Sequence, residues 1–383
     1  KSFEELLTAK HEMKKELFKY IANKAGKRFN PDVLTITWAR RFADYKRAWL
    51  ILMDKERIQR LLDENKIQII FAGKFHPDDV MGKEMFNKLL NRSHSLKNVV
   101  VLPGYELQLS GMLKRGSDIW LNTPTRPLEA SGTSGEKCVM NGVMQFSVLD
   151  GWWVEGYKEG AGWMLPMERT YADQRFQDEL DAEMIYNTIE EQIVPLYYDR
   201  AEDGVPHRWV NAVKKCVADI ASNFTTNRML IDYEERFYNK LAQRKKLMLD
   251  KNYIMARQIA AWKRKVSAAW DNIVIRDVKR AEIESEAMYV GKKYHFELTI
   301  DLAGLQKEDI GAELVVATQI EAGQAANVVE TRRLEIVASD DKSVTLALDY
   351  APEHTGMFDV ALRVFPVNDN LEHRMDFALV KWA

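Results

Sequence analysis

Cysteine is nearly absent from this sequence. The 383 residues include two, Cys138 and Cys216. Two thiols exclude a disulfide scaffold and fit a reducing, cytoplasmic compartment. No apolar run approaches the roughly 20 residues that span a bilayer, so no membrane partner is expected. The net charge is −2, which leaves no whole-chain field to attract nucleic acid or anionic lipid. The histidines (His11, His76, His94, His207, His295, His354 and His373) are scattered, with no H-x-x-x-H or C-x-x-C spacing, and predict no metal site. A G-x-S-x-G elbow and a G-x-x-x-x-G-K-[ST] phosphate loop are also missing.

What is present is the make-up of a soluble globular chain, 46% hydrophobic and 29% charged. Its length suits two or three domains, each with its own core. The first residue is lysine, which leads us to expect a piece of a longer protein. Residues 1–21 read as an amphipathic charged helix rather than a signal peptide. From residue 33 onward, short apolar runs alternate with helix-period segments. Strands are expected at 33–38, 67–72, 99–102 and 118–121. Helices are expected from Arg47 to Glu64, Asp79 to Leu90 and Leu107 to Arg115. Residues 143–149 fit either a helix or a strand. Strands that are apolar throughout belong in a parallel sheet covered on both faces, and βαβ alternation predicts a doubly wound, Rossmann-like α/β domain. Residues 170–280 read as mostly helical, with Trp262 and Trp270 on one face as a packing stripe. Near residue 285 the period changes to strict alternation, at 295–300, 333–337, 344–348 and 358–364, which predicts a small all-β sandwich. The expected division is therefore 1–282 for the α/β lobe with its helical extension and 283–383 for the sandwich.

Two constellations carry chemistry. Arg40-Arg41-Phe42-Ala43-Asp44-Tyr45-Lys46-Arg47 clusters four cations at an expected strand-to-helix junction. A charge run there is either a solvated helix start or an anion site, because cations oppose the helix dipole unless an anion joins them. The second is Glu129-Ala130-Ser131-Gly132-Thr133-Ser134-Gly135-Glu136-Lys137, followed by Cys138-Val139-Met140-Asn141-Gly142. Glycine lets backbone amides approach an anion closely. Lys137 is then either a counter-charge or an amine able to form an imine. Both constellations lie just past strand ends, where ligands of such sheets bind.

The 129–142 string resembles the cofactor motif of the α-glucan phosphorylases, in particular the shorter bacterial type. The likeness runs over roughly residues 8–200. Weaker matches at Phe71-Ala72-Gly73-Lys74, at Tyr105 after Pro103-Gly104 and at Asp150-Gly151 fall in the family's order. The ending His373–Val380 is similar to the tail of the short bacterial enzymes. The chain departs from the family pattern at Ser134-Gly135-Glu136.

The resemblance implies the second lobe of a GT-B glycosyltransferase that uses pyridoxal 5'-phosphate. In it Lys137 carries the cofactor through an imine. Arg40, Gly132 and Thr133 contact the cofactor phosphate, and Tyr105 lies close by. Arg41 and Lys46 bind substrate phosphate, and Glu129 with the Ala130-Ser131-Gly132 backbone grips glucosyl hydroxyls. The implied partners are α-1,4-glucan, inorganic phosphate or glucose 1-phosphate, and the missing N-terminal lobe of the same protein, with a homo-oligomer allowed for. The implied reaction is phosphorolysis of terminal glucose to glucose 1-phosphate, with the fragment alone inactive. Two other readings fit parts of the sequence. A nucleotide-sugar-dependent glucan synthase shares the lobe but has no use for Lys137. A carbohydrate-binding or structural module would centre on the β unit, where Tyr289, Tyr294, Tyr350 and Trp382 are the aromatics on offer.

Overall fold

The computed structural model describes residues 2–165, 171, 173–279, 288–318 and 327–383. They form two compact units, 1–233 and 234–383. The boundary expected at 282/283 lies outside the described residues.

The first unit opens with α1 (Phe3–Ala25), started by a capping box between Ser2 and Glu5. Six parallel strands follow: β1 (Leu34–Ala39), β2 (Ile67–Ala72), β3 (Val99–Leu102), β4 (Ile119–Asn122), β5 (Met144–Val148) and β6 (Trp163–Leu165). The first five are buried at every position, so the sheet must be covered on both sides. Leu34, Ile36 and Trp38 enter one core cluster, while Ala39, Ile70, Val100 and Trp120 enter a second with Leu17 and Ile21 of α1. The crossovers carry α2 (Lys55–Asp63), α3 (Val80–Ser95), α4 (Leu107–Gly116) and α5 (Thr133–Val139). The strand order β3-β2-β1-β4-β5-β6 reverses direction between β1 and β4. In doubly wound sheets that reversal opens the crevice where ligands bind.

The single helix expected from Arg47 to Glu64 is broken. Three-residue 3-10 turns stand at Asp44–Lys46 and Leu50–Leu52, and α2 starts only after Asp54, whose carboxylate caps the amides of Glu56 and Arg57. Two local facts explain the break. Arg47 adopts a left-handed backbone with φ 45°, and Leu50, Ile51 and Leu52 are all buried, which no single amphipathic stripe allows.

The second unit contains a helical stretch, Asn239–Trp270, interrupted by non-helical backbone at 250–253. Trp270 and Val266 from this stretch are buried in the sandwich core and Trp262 packs against it, so the tryptophan stripe is packing. Two four-stranded sheets make the sandwich. One has the order β11 (Glu335–Ser339), β12 (Ser343–Tyr350), β8 (Tyr294–Asp301), β7 (Val274–Lys279). The other has the order β10 (Asn327–Arg333), β9 (Ile310–Thr318), β13 (Phe358–Pro366), β14 (Lys381–Trp382). All sandwich pairings are antiparallel.

Candidate active site

β1 and β4 are neighbours, with Ile36 opposite Ile119 and Thr37 opposite Trp120. Their carboxyl ends therefore deliver Arg40-Arg41 and the 123–132 loop to the same edge of the sheet. The two connections are laced together. Thr125 N donates to the Tyr45 carbonyl at 2.6 Å, and Thr123 Oγ1 donates to the Lys46 carbonyl at 3.1 Å. Arg47 acts as the staple. Its Nε and Nη2 donate to the carbonyls of Thr123 and Pro124 at 2.9 and 3.0 Å, and it pairs with Asp178 and Asp181 at 2.7 Å each. With Arg47 only 3% exposed, one of the four cations of the run is structural. No α-helix starts at Arg40-Arg41, so the dipole argument for an anion there lapses, and the other cations must be read from their contacts.

Those contacts centre on Glu129. Its Oε2 lies 3.3 Å from Arg40 Nη1 and 3.4 Å from Lys46 Nζ. Arg40 is buried, and its Nε has no hydrogen-bond partner among the described residues. A buried guanidinium nitrogen left without an acceptor is costly and marks a place for one more anionic oxygen. Burial pulls the Arg40 guanidinium below its ordinary value, opposed first by Glu129 and then by the nearby hydroxyls of Tyr45 and Tyr105. Tyr105 itself is half-buried, with its hydroxyl 3.1 Å from Ser110 Oγ and 3.2 Å from Lys114 Nζ.

The loop that carries Glu129 is fixed from below by the Asp150-Gly151-Trp152 turn. Glu129 N donates to Asp150 Oδ2 and Trp152 N donates to the Ser131 carbonyl, both at 3.0 Å. Gly151 makes this possible, since it has φ +56° and a Cβ there would sit 2.3 Å from the Ser131 oxygen. The Asp-Gly pair thus shapes the motif.

α5 begins inside the motif, with Gly132 as its left-handed N-cap. Gly135, Cys138 and Val139 face the core, while Thr133 and Lys137, four residues apart, share the exposed face. Lys137 is exposed and its amine makes no hydrogen bond or ion pair among the described residues; Arg41 is in the same position. The structure therefore joins Arg40, Lys46 and Glu129, with Tyr105 near, and leaves Arg41 and Lys137 outside that set of contacts. Ala130 and Ser131 are exposed on the loop beside them. Glu136 is pushed above the usual carboxylate range by burial, against Lys137 and Arg228.

Sequence reasoning missed the support beneath α5. Gln145 on β5 is 1% exposed, and neither its amide atoms nor Trp152 Nε1 has a partner among the described residues. Both side chains press on Gly135, where a Cβ would stand 1.6 Å from Gln145 Oε1 and 2.8 Å from Trp152 Nε1. A glutamine in a short strand flanked by Met144 and Phe146 was the available signal.

Residues 1–163 match the family described as Carbohydrate phosphorylase, and residues 270–383 match the Glycogen phosphorylase C-terminal domain. The maltodextrin phosphorylase of Thermococcus litoralis is 34% identical over 99% of this chain and 46% of its own length. The glycogen phosphorylase of Mycobacterium tuberculosis is 34% identical over 88% of this chain and 37% of its own length. The glycogen phosphorylase of Aquifex aeolicus is 42% identical over 55% of this chain and 31% of its own length. The chain thus spans less than half the length of these curated relatives. Taken with a phosphorylase-type match at each end of the chain, these alignments establish that it belongs to the α-glucan phosphorylase family.

Proposed function

We propose that this chain is the second, GT-B-type lobe of an α-1,4-glucan phosphorylase, and that the whole protein converts a terminal glucose of glucan and inorganic phosphate to glucose 1-phosphate. The observation that carries the reading is the Arg40–Glu129–Lys46 cluster. It sits where the sheet reverses direction, on the same edge as the loop that leads into Lys137. The residues suit pyridoxal 5'-phosphate: Arg40 keeps a buried Nε without an acceptor, and Thr133 and Lys137 share one open face of α5. Lys137 would hold the cofactor through its amine. Arg40 and the amides of Gly132 and Thr133 would hold its phosphate, with Tyr105 alongside. When bound, the cofactor supplies a phosphate that relays a proton to the substrate phosphate.

The chain's own residues then have defined tasks. Lys46 and Arg41 take substrate phosphate next to the Arg40 position. Two phosphoryl groups about 5 Å apart repel by about 3 kcal/mol per pair of unit charges at an effective dielectric of about 20, so the cations are what keeps both in place. Glu129, with the Ala130–Gly132 backbone, grips glucosyl hydroxyls and sets the anomeric carbon over the phosphate. The remaining wall of the site, including the glucan-binding groups, belongs to the lobe outside this chain. Both cysteines are buried and free, which supports a reducing cytoplasm as the place of action.

The test is release of glucose 1-phosphate from maltodextrin and inorganic phosphate. The full-length protein is expected to release it, and this chain by itself is not. Release by the isolated chain at the full-length rate contradicts the two-lobe reading.

A further inference from the structure

Glu129 occupies the place where an anion is needed. One carboxylate oxygen spans Arg40 Nη1 and Lys46 Nζ at 3.3 and 3.4 Å, and the three side chains are 8–12% exposed. In that position its single negative charge offsets half the charge of two cations that would otherwise repel each other at close range. It satisfies the pair incompletely, since the buried Arg40 Nε still lacks an acceptor. A phosphoryl dianion offers more charge and three acceptor oxygens, so it suits a guanidinium and an ammonium better than one carboxylate does. The two cannot be held together, because like charges a few ångströms apart in a half-buried site disfavour each other.

We infer that Glu129 is an internal counter-ion that closes the Arg40–Lys46 seat until a phosphoryl anion displaces it. The inference rests on the reading above, in which Arg40 and Lys46 hold neighbouring phosphoryl groups, the cofactor's and the substrate's; in the chain without cofactor, one inorganic phosphate bridges the pair that Glu129 now bridges. The movement is confined to the side chain, because the backbone is tied to the 150–152 turn through Asp150 Oδ2 and Trp152 N. Displacement sends the carboxylate out of the cation pair and frees it to accept sugar hydroxyls. Anion binding and hydroxyl binding are then coupled through one side chain, and the coupling acts in both directions. An empty seat grips neither ligand well, and phosphate prepares the sugar site.

The experiment is calorimetric titration of inorganic phosphate into the 383-residue chain at low ionic strength. Glu129→Gln is expected to bind phosphate about tenfold tighter than the parent, the effect of removing a competitor worth one decade of affinity. Glu129→Ala is expected to move in the same direction and guards against a folding defect peculiar to the amide. Lys46→Met, made in the Glu129→Gln background, is expected to cancel the gain. If Lys46→Met weakens phosphate binding but neither Glu129 variant tightens it, the counter-ion role is overturned and the phosphate seat stands. If Lys46→Met leaves phosphate binding unchanged, the seat is elsewhere, and the underlying reading falls together with the inference.

Discussion

Arg40, Lys46 and Arg47 lie within eight residues of one another and have three different fates. Arg47 is locked between two carbonyls and two aspartates, Arg40 is buried with one nitrogen to spare, and Lys46 reaches Glu129. The sequence displayed the charges but not their assignment, because Asp178 and Asp181 arrive from more than 130 residues away. Glu136 is a comparable case, visible in sequence only as a departure from the family pattern. Burial raises its carboxyl above the ordinary value of 4.5, so its charged form is disfavoured in the folded state relative to the unfolded one. The folded state then binds the extra proton between those two values, and stability falls as pH rises through that window. Glu136→Gln removes the penalty. We expect the variant to melt at a higher temperature than the parent at pH 7, with the gap narrowing steadily as pH is lowered toward 4.5 in a series of thermal melts. A gap that is constant with pH contradicts this assignment.

At the scale of elements, the parallel strands were legible because each is a short apolar run bounded by turn residues, and β2 and β3 fall where periodicity places them. Alternation served β8, β12 and β13 in the same way. β9 and β10 gave no such signal. β9 is buried along nearly its whole length, including Glu313, which is held by Arg363 and Arg374, while β10 is almost wholly exposed. A period of two needs one wet face and one dry face, and neither strand has that. The contact between α5 and β5 was equally hidden, because it depends on Gly135 leaving room for Gln145 and Trp152. Gly135→Ala is expected to destabilise the chain by about 1–3 kcal/mol, the usual cost of overpacking. Gln145→Ala in the same chain is expected to recover most of that loss, since it removes the nearest atom. Chemical denaturation of the single and double variants checks this, and purely additive effects would show that the two sites do not touch.

At the scale of the whole molecule, the chain is built as an α/β unit and a sandwich-bearing unit, and it spans less than half the length of the phosphorylases it matches. The candidate site was legible to the extent that its chemistry lies in contiguous motifs. Arg40, Lys46 and Glu129 were all marked in the sequence, and the sheet order brings them together. What could not be read was that Lys137 stands on the open face of α5 rather than against the cations, because helix phase within a glycine-rich motif has no apolar period to fix it. The central claim is that this amine holds a cofactor whose phosphate lies in the Arg40 seat. The most direct measurement is an absorbance titration of the chain with pyridoxal 5'-phosphate, parent against Lys137→Ala. The account predicts a saturable imine band in the parent and none in the variant; an equal band in both would contradict it.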